Sequence, residues 1–139
     1  MVADVNVPDA VIKALDGVDG LVSAYLFGSL ASGRAHRESD VDVGVVLDRR
    51  KYPTAGQRFD MRLTLIGSLQ SAVGREVDLV VLNDAPPQLA RHIMTTGRRL
   101  VAKDAERDHA QLRVTLSRAA DLEPFLRRLR AVKLRALAR

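Results

Sequence analysis

The chain has 139 residues, 47% hydrophobic and 28% charged, which is one globular domain's worth and excludes a disordered protein. It contains no cysteine, so disulfides and thiolate metal sites are excluded and Asp, Glu and three His remain as metal ligands. The net charge of +5 is uneven: residues 1–104 carry 13 basic and 13 acidic side chains, residues 105–139 carry 9 and 4.

No apolar run is long enough to cross a bilayer, and the start Met1-Val-Ala-Asp-Val lacks a basic-then-apolar signal pattern, so a cytoplasmic location is expected. Pro8 to Leu15 reads as a short amphipathic helix closed by Gly17 and Gly20. Leu21 to Phe27 is a strand stopped by Gly28-Ser29, and one helical turn and a loop follow over residues 30–39. Val41 to Leu47 is a second strand, and Asp48 to Gly56 a polar connection. Thr54 to Val73 reads as a longer helix, with Phe59, Leu63, Ile66, Leu69 and Val73 at spacings near 3.6, ending before Gly74. Glu76 to Leu82 is a third strand.

Asn83-Asp84 is the predicted N-cap of a helix over residues 86–96, with Pro86 and Pro87 in its first turn and Gly97 as its stop. Arg99 to Lys103 is a short strand. From Ala105 the pattern is helical, with a break expected near Asp121 because Pro124 is costly in a helix interior. The layout predicts an α/β (α+β) domain over residues 1–103, a small mixed sheet flanked by helices, and a basic helical extension over residues 104–139 that packs on it or on a partner. Leu112, Leu116, Leu126, Leu129 and Leu137 read as intramolecular packing. Arg127, Arg128, Arg130, Lys133 and Arg135 offer a docking surface for an acidic partner.

The chemistry lies in "LFGSLASGRAHRESDVDVGVVL", residues 26–47. Residues i and i+2 of a strand share a face, so Asp40 and Asp42 project together, roughly 7 Å apart at Cα. Two such carboxylates repel unless one binds a proton or a cation lies between them. An all-oxygen set suits Mg²⁺. Asp78, flanked by Val77 and Leu79, joins them if its strand pairs beside Val41–Leu47, which would give three acids around one or two metals. Gly28 allows close backbone approach to a phosphate, Ser29 adds a donor, and Arg34 and Arg37 can pair with triphosphate oxygens. His36, His92 and His109 read as surface or capping residues.

Gly28-Ser29, ten residues, Asp40-Val41-Asp42 and a later strand Asp78 resemble the signature of the polymerase β superfamily of nucleotidyltransferases. The string "GSLASGRAHRESDVDVGVVL" resembles the minimal nucleotidyltransferases, and "EVDLVVLNDAPPQLARHIMTTGRRLV" is similar to their antitoxin members, typically encoded beside a HEPN-domain toxin. The resemblance covers roughly residues 20–103. It implies a nucleotidyltransferase fold, nucleotide contacts at Gly28 and Ser29, metal binding by Asp40 and Asp42, and a catalytic metal and help in deprotonation at Asp78. It also implies Mg²⁺-dependent transfer of AMP from ATP to a tyrosine of a cognate HEPN ribonuclease toxin, which silences it.

The short Asp48–Gly56 loop leaves little chain for a base or small-acceptor pocket, which suits a protein acceptor. Two other readings stand beside this one. One is an antitoxin that neutralises by binding alone. The other is an RNA or small-molecule nucleotidyltransferase, with RNA disfavoured because Phe125 is the tail's only aromatic.

Overall fold

The computed structural model describes residues 6–32 and 40–138. In chain order the elements are α1 (Val7–Leu15), β1 (Leu21–Phe27), α2 (Ser29–Ser32), β2 (Val41–Leu47), α3 (Ala55–Val73), β3 (Val77–Val81), α4 (Pro87–Thr96), β4 (Arg98–Ala102) and α5 (Ala105–Leu137). The strands form one sheet in the order β3-β2-β1-β4. β1 is antiparallel to both β2 and β4, whereas β2 and β3 are parallel. A parallel pair needs a long crossover, and α3 supplies it. The mixed sheet flanked by helices is the one expected from the sequence.

Local chemistry sets the ends of these elements. The Asn6 side chain accepts from Asp9 N at 3.1 Å and caps α1. Thr54 and Gln57 form a reciprocal capping box at the start of α3, and Gly74, at φ +67°, ends it in the left-handed conformation. The predicted cap of α4 is not used: Pro86 stands at its N-cap without a side-chain bond. Asn83 serves the sheet instead, accepting from Leu47 N at 2.8 Å and donating to Leu47 O at 2.9 Å. Its amide replaces a backbone rung where β3 has already ended.

Strand alternation sorts the sheet into two faces. Val41, Val43, Val45, Leu79 and Val81 pack with Val11, Leu15, Leu65, Leu69 and Val73 of α1 and α3. Val22, Tyr25 and Val46 pack with Leu82, Ala90, Ile93 and Met94 on the face covered by α4. Gly44 permits that cover, since a Cβ there would stand 2.9 Å from Ile93 Cγ2 and 3.3 Å from Leu82. On α3 the buried register is Arg58, Leu65, Leu69 and Val73, while Phe59 (53% exposed) and Leu63 (52%) face solvent. The Arg58 guanidinium takes the inward place, donating to both Asp84 carboxylate oxygens at 2.8 Å and to Tyr52 O at 2.9 Å.

α5 corrects two expectations. It runs unbroken through Pro124. Pro124 cannot donate to the carbonyl one turn back, but Glu123 accepts from Arg130 Nη2 at 2.9 Å and pairs with Arg127 at 3.6 Å, so side chains bridge the proline. Leu116, Leu129 and Leu137 are exposed rather than packed. What holds α5 to the sheet is a carboxylate: Asp108, 1% exposed, accepts from Ser23 Oγ (2.6 Å), Tyr25 Oη (2.8 Å) and Arg99 Nη1 (3.0 Å). Burial and the adjoining Asp108 charge push the Tyr25 phenol well above its usual range, so it stays a donor.

Asp108→Ala leaves these donors facing a void and is expected to cost about 3 kcal/mol in urea unfolding. Arg99→Ala, whose side chain is 43% exposed, is expected to cost about 1 kcal/mol or less.

Candidate active site

β1 ends, and β2 and β3 begin, at one edge of the sheet. Register pairs Asp42 with Phe27 across the antiparallel ladder and with Asp78 across the parallel one. Asp42 and Asp78 therefore sit side by side on neighbouring strands, on the face that carries Gly44 and Val80. One row further along, Ile93 of α4 and Leu82, just past the end of β3, cover that face against Gly44. The acids occupy the row that α4 leaves open. This is why two carboxylates are tolerated in strands that otherwise read as buried.

Asp40 immediately precedes β2 and is exposed, as is Asp78, while Asp42 is half-buried. Burial raises the Asp42 carboxyl above its ordinary value of 3.8, and the charges of Asp78 and Asp40 raise it further. Among the described residues no ion pair reaches any of the three. Nor do three acids converge into a closed coordination cage there. The three nonetheless lie close enough for the charges of Asp78 and Asp40 to act on Asp42. A hard divalent cation among them would relieve the repulsion, and the donors are all oxygen, so the set fits such an ion.

Gly28 closes the corner. Its φ of +72° is the left-handed conformation that only glycine adopts freely. A Cβ at Gly28 would collide with the Asp42 Oδ2 atom. The absent side chain is thus a cradle in which the carboxylate sits against bare backbone. Ser29 opens α2 directly after it, and Leu30 and Ala31 pack on the core to fix that turn. Arg34 and Arg37, expected on the phosphate side, lie outside the described residues, as does His36. His92 and His109 are exposed and outside the corner.

A groove of about 620 Å³, not foreseen from the sequence, leads to Asp78 along the free edge of β3. Phe59 and Arg62 of α3 form one wall, Pro86 and Leu89 the other. Arg62 Nε donates to Leu79 O at 2.7 Å and satisfies part of that edge. The available signal was α3's second apolar set, Phe59 and Leu63, out of phase with Leu65, Leu69 and Val73. A similar hollow of about 630 Å³ lies at the other end of the sheet, by Gly20 and Lys103. Its cations are committed: Lys51 to Asp19, Arg50 to Asp48, and Lys103 to the carbonyls of Asp16 and Val18. It carries no comparable chemistry.

A mixed four-stranded sheet with helices on both faces and acids at the start of its parallel pair defines the nucleotidyltransferase class of fold. The chain belongs to the polymerase beta nucleotidyltransferase family, whose pattern residues 9–106 match. That family generally uses ATP and a divalent metal. The protein adenylyltransferase MntA of Shewanella oneidensis is 37% identical over 93 residues, 65% of this chain and 61% of that protein. The match thus spans less than two thirds of that relative's length. A chain of a solved toxin–antitoxin structure with AMP-PNP superposes with a TM-score of 0.67 at 28% identity, over 97% of this chain and 100% of its own. One from the tri-AMPylated Shewanella oneidensis HEPN toxin in complex with MNT antitoxin gives 0.61 at 25% identity, over 96% and 97%.

Two substitutions test the electrostatics of the corner. A carboxyl raised in the folded state contributes most below its ordinary value, and that contribution is lost as pH rises through the folded value. Asp42→Asn is therefore expected to melt above the unsubstituted protein at about pH 7, with the gap closing toward about pH 4 in thermal scans without metal. Gly28→Ala forces a side chain into the left-handed region and against Asp42, and is expected to cost about 1–2 kcal/mol in urea unfolding.

Proposed function

We propose that the protein is an antitoxin that transfers AMP from ATP to a tyrosine of a cognate HEPN ribonuclease toxin and so silences it. The observation that carries this reading is the register pairing of Asp42 with Asp78 beside Asp40 and the Gly28 turn. The similarity to a protein adenylyltransferase and to toxin–antitoxin structures supports it.

In this reading Asp40, Asp42 and Asp78 would hold Mg²⁺, which when bound would supply positive charge against the triphosphate. Gly28 and Ser29 present backbone N–H groups to the phosphates, and Arg34 and Arg37 lend charge to them. The tyrosine oxygen attacks the α-phosphorus in line. A new O–P bond forms as the bond to pyrophosphate breaks, and the phenolic proton passes toward the Asp78 carboxylate. The chain's contribution is position and charge rather than covalent chemistry. Three uncompensated acids would be a liability in a module that only binds, so the arrangement favours turnover over contact alone.

The test mixes the full chain with Mg²⁺, α-labelled ATP and a HEPN-domain protein supplied by the neighbouring gene of the same genome, if it encodes one. Label is expected on a HEPN tyrosine. Asp42→Asn is expected to reduce the rate by about a hundredfold or more, and the triple Asp40, Asp42, Asp78→Asn variant to abolish it. A stable complex without label would instead identify an antitoxin that works by binding.

A further inference from the structure

The second half of α5 leaves the body. From Arg127 to Ala138 every residue is exposed, so the helix projects about 20 Å beyond its last anchor at Glu123. At about 100° per residue, Leu122, Phe125, Leu126, Leu129, Val132 and Leu137 fall within an arc of about 140°, with Lys133 the one charge inside it. Phe125 (53% exposed), Val132 (54%) and Leu137 (82%) show how little of this stripe the chain itself covers. Arg127, Arg128, Arg130 and Arg135 lie on the remaining circumference, with Leu134 (67% exposed) among them. Residues 124–139 hold six basic side chains and no acidic one.

That charge discriminates among occupants. A second copy laid along the stripe would bring two cationic helices together, and repulsion opposes it. Nucleic acid would pair with the arginines but leave the leucines and valine bare, with one aromatic available for stacking. A membrane would accept the stripe, but the arm's location points elsewhere. Gln88 Nε2 donates to Ala119 O at 3.2 Å and to Glu123 Oε2 at 3.0 Å, tying the root of the arm to α4. Leu89, next to Gln88 in sequence, and Pro86, two residues before it, line the groove that ends at Asp78. The arm thus springs from the rim of the path by which an acceptor would reach the acids.

We propose that residues 124–137 are the docking arm for the protein acceptor, whose complementary surface is an apolar groove flanked by carboxylates. The inference rests on the functional reading above and deepens it: the arm grips the partner, and the β3-edge groove admits the segment to be modified. Binding energy would then be gained far from the reacting atoms, so loss of the arm should affect capture of the acceptor rather than chemistry.

The experiment uses the full chain, the same HEPN-domain protein, and two double variants, Leu129→Glu with Val132→Glu and Arg128→Glu with Lys133→Glu. All four positions are exposed, so melting temperatures should match the parent. Each variant is expected to raise KM for the HEPN protein by about tenfold or more, with kcat and ATP affinity within about twofold. Parent-like KM in both variants overturns the arm while leaving the functional reading intact. Failure of the parent to bind or modify the HEPN protein overturns the functional reading, and the arm with it. Binding to RNA or to anionic vesicles that both variants abolish, without change in KM, reassigns the arm to that ligand.

Discussion

Like charge placed at the start of a parallel strand pair is the constraint around which this molecule is arranged. β2 and β3 are parallel, so both begin at the same edge, and their second residues, Asp42 and Asp78, face each other in register. A parallel pair requires a crossover, and α3 is that crossover, so the same helix that completes the core also fixes the spacing of the acids. Gly44 lets α4 lie on the sheet one row further along, which sets how far cover extends and where it stops. Gly28 then leaves room for one carboxylate against bare backbone. Each glycine here removes a side chain so that another group can occupy its place.

The rest of the domain shows what it takes to keep such a corner rigid. Opposite charges elsewhere are paired at close range: Arg58 with Asp84 braces α3 against the β3–α4 connection, and Asp108 with Arg99, Tyr25 and Ser23 locks α5 to β1 and β4. A buried ion pair is weak evidence for net stability, because desolvation offsets much of the attraction. Its consequence here is positional. Hydrophobic contacts would allow α5 to slide along the sheet, whereas the single carboxylate with donors from β1 and β4 admits one register.

Much of this frame is legible in the chain because it is local. The Gly74 stop of α3 and the strand ending in Gly28-Ser29 each need only a few consecutive residues. Asp78 could be placed beside Asp40 and Asp42 only through the pairing of β2 with β3. The features that escaped are those whose partners are distant in sequence. Asp108 sits in a stretch, Glu106-Arg107-Asp108-His109, that reads as a solvated helix face, and two of its donors lie more than 80 residues away. Phe59 and Leu63 follow helical spacing as faithfully as Leu65 and Leu69 do, and periodicity alone cannot say which apolar set turns inward. Asn83 looked like a cap because nothing nearby shows that β2 needs one more rung. Pro124 looked like a break because its cost is local while Arg127 and Arg130, which bridge it, lie on the following turns.

The continuity of α5 through Pro124 also bears on how charge is distributed. Residues 1–104 are neutral overall, and the whole excess of +5 lies in residues 105–139. The acids of the corner and the arginines of the arm are opposite in sign, and among the described residues they do not pair. Glu123 draws Arg127 and Arg130 across the proline, and the helix continues unbroken to Leu137. Continuity beyond the proline therefore carries these cations along an exposed helix and leaves them available for something outside the chain.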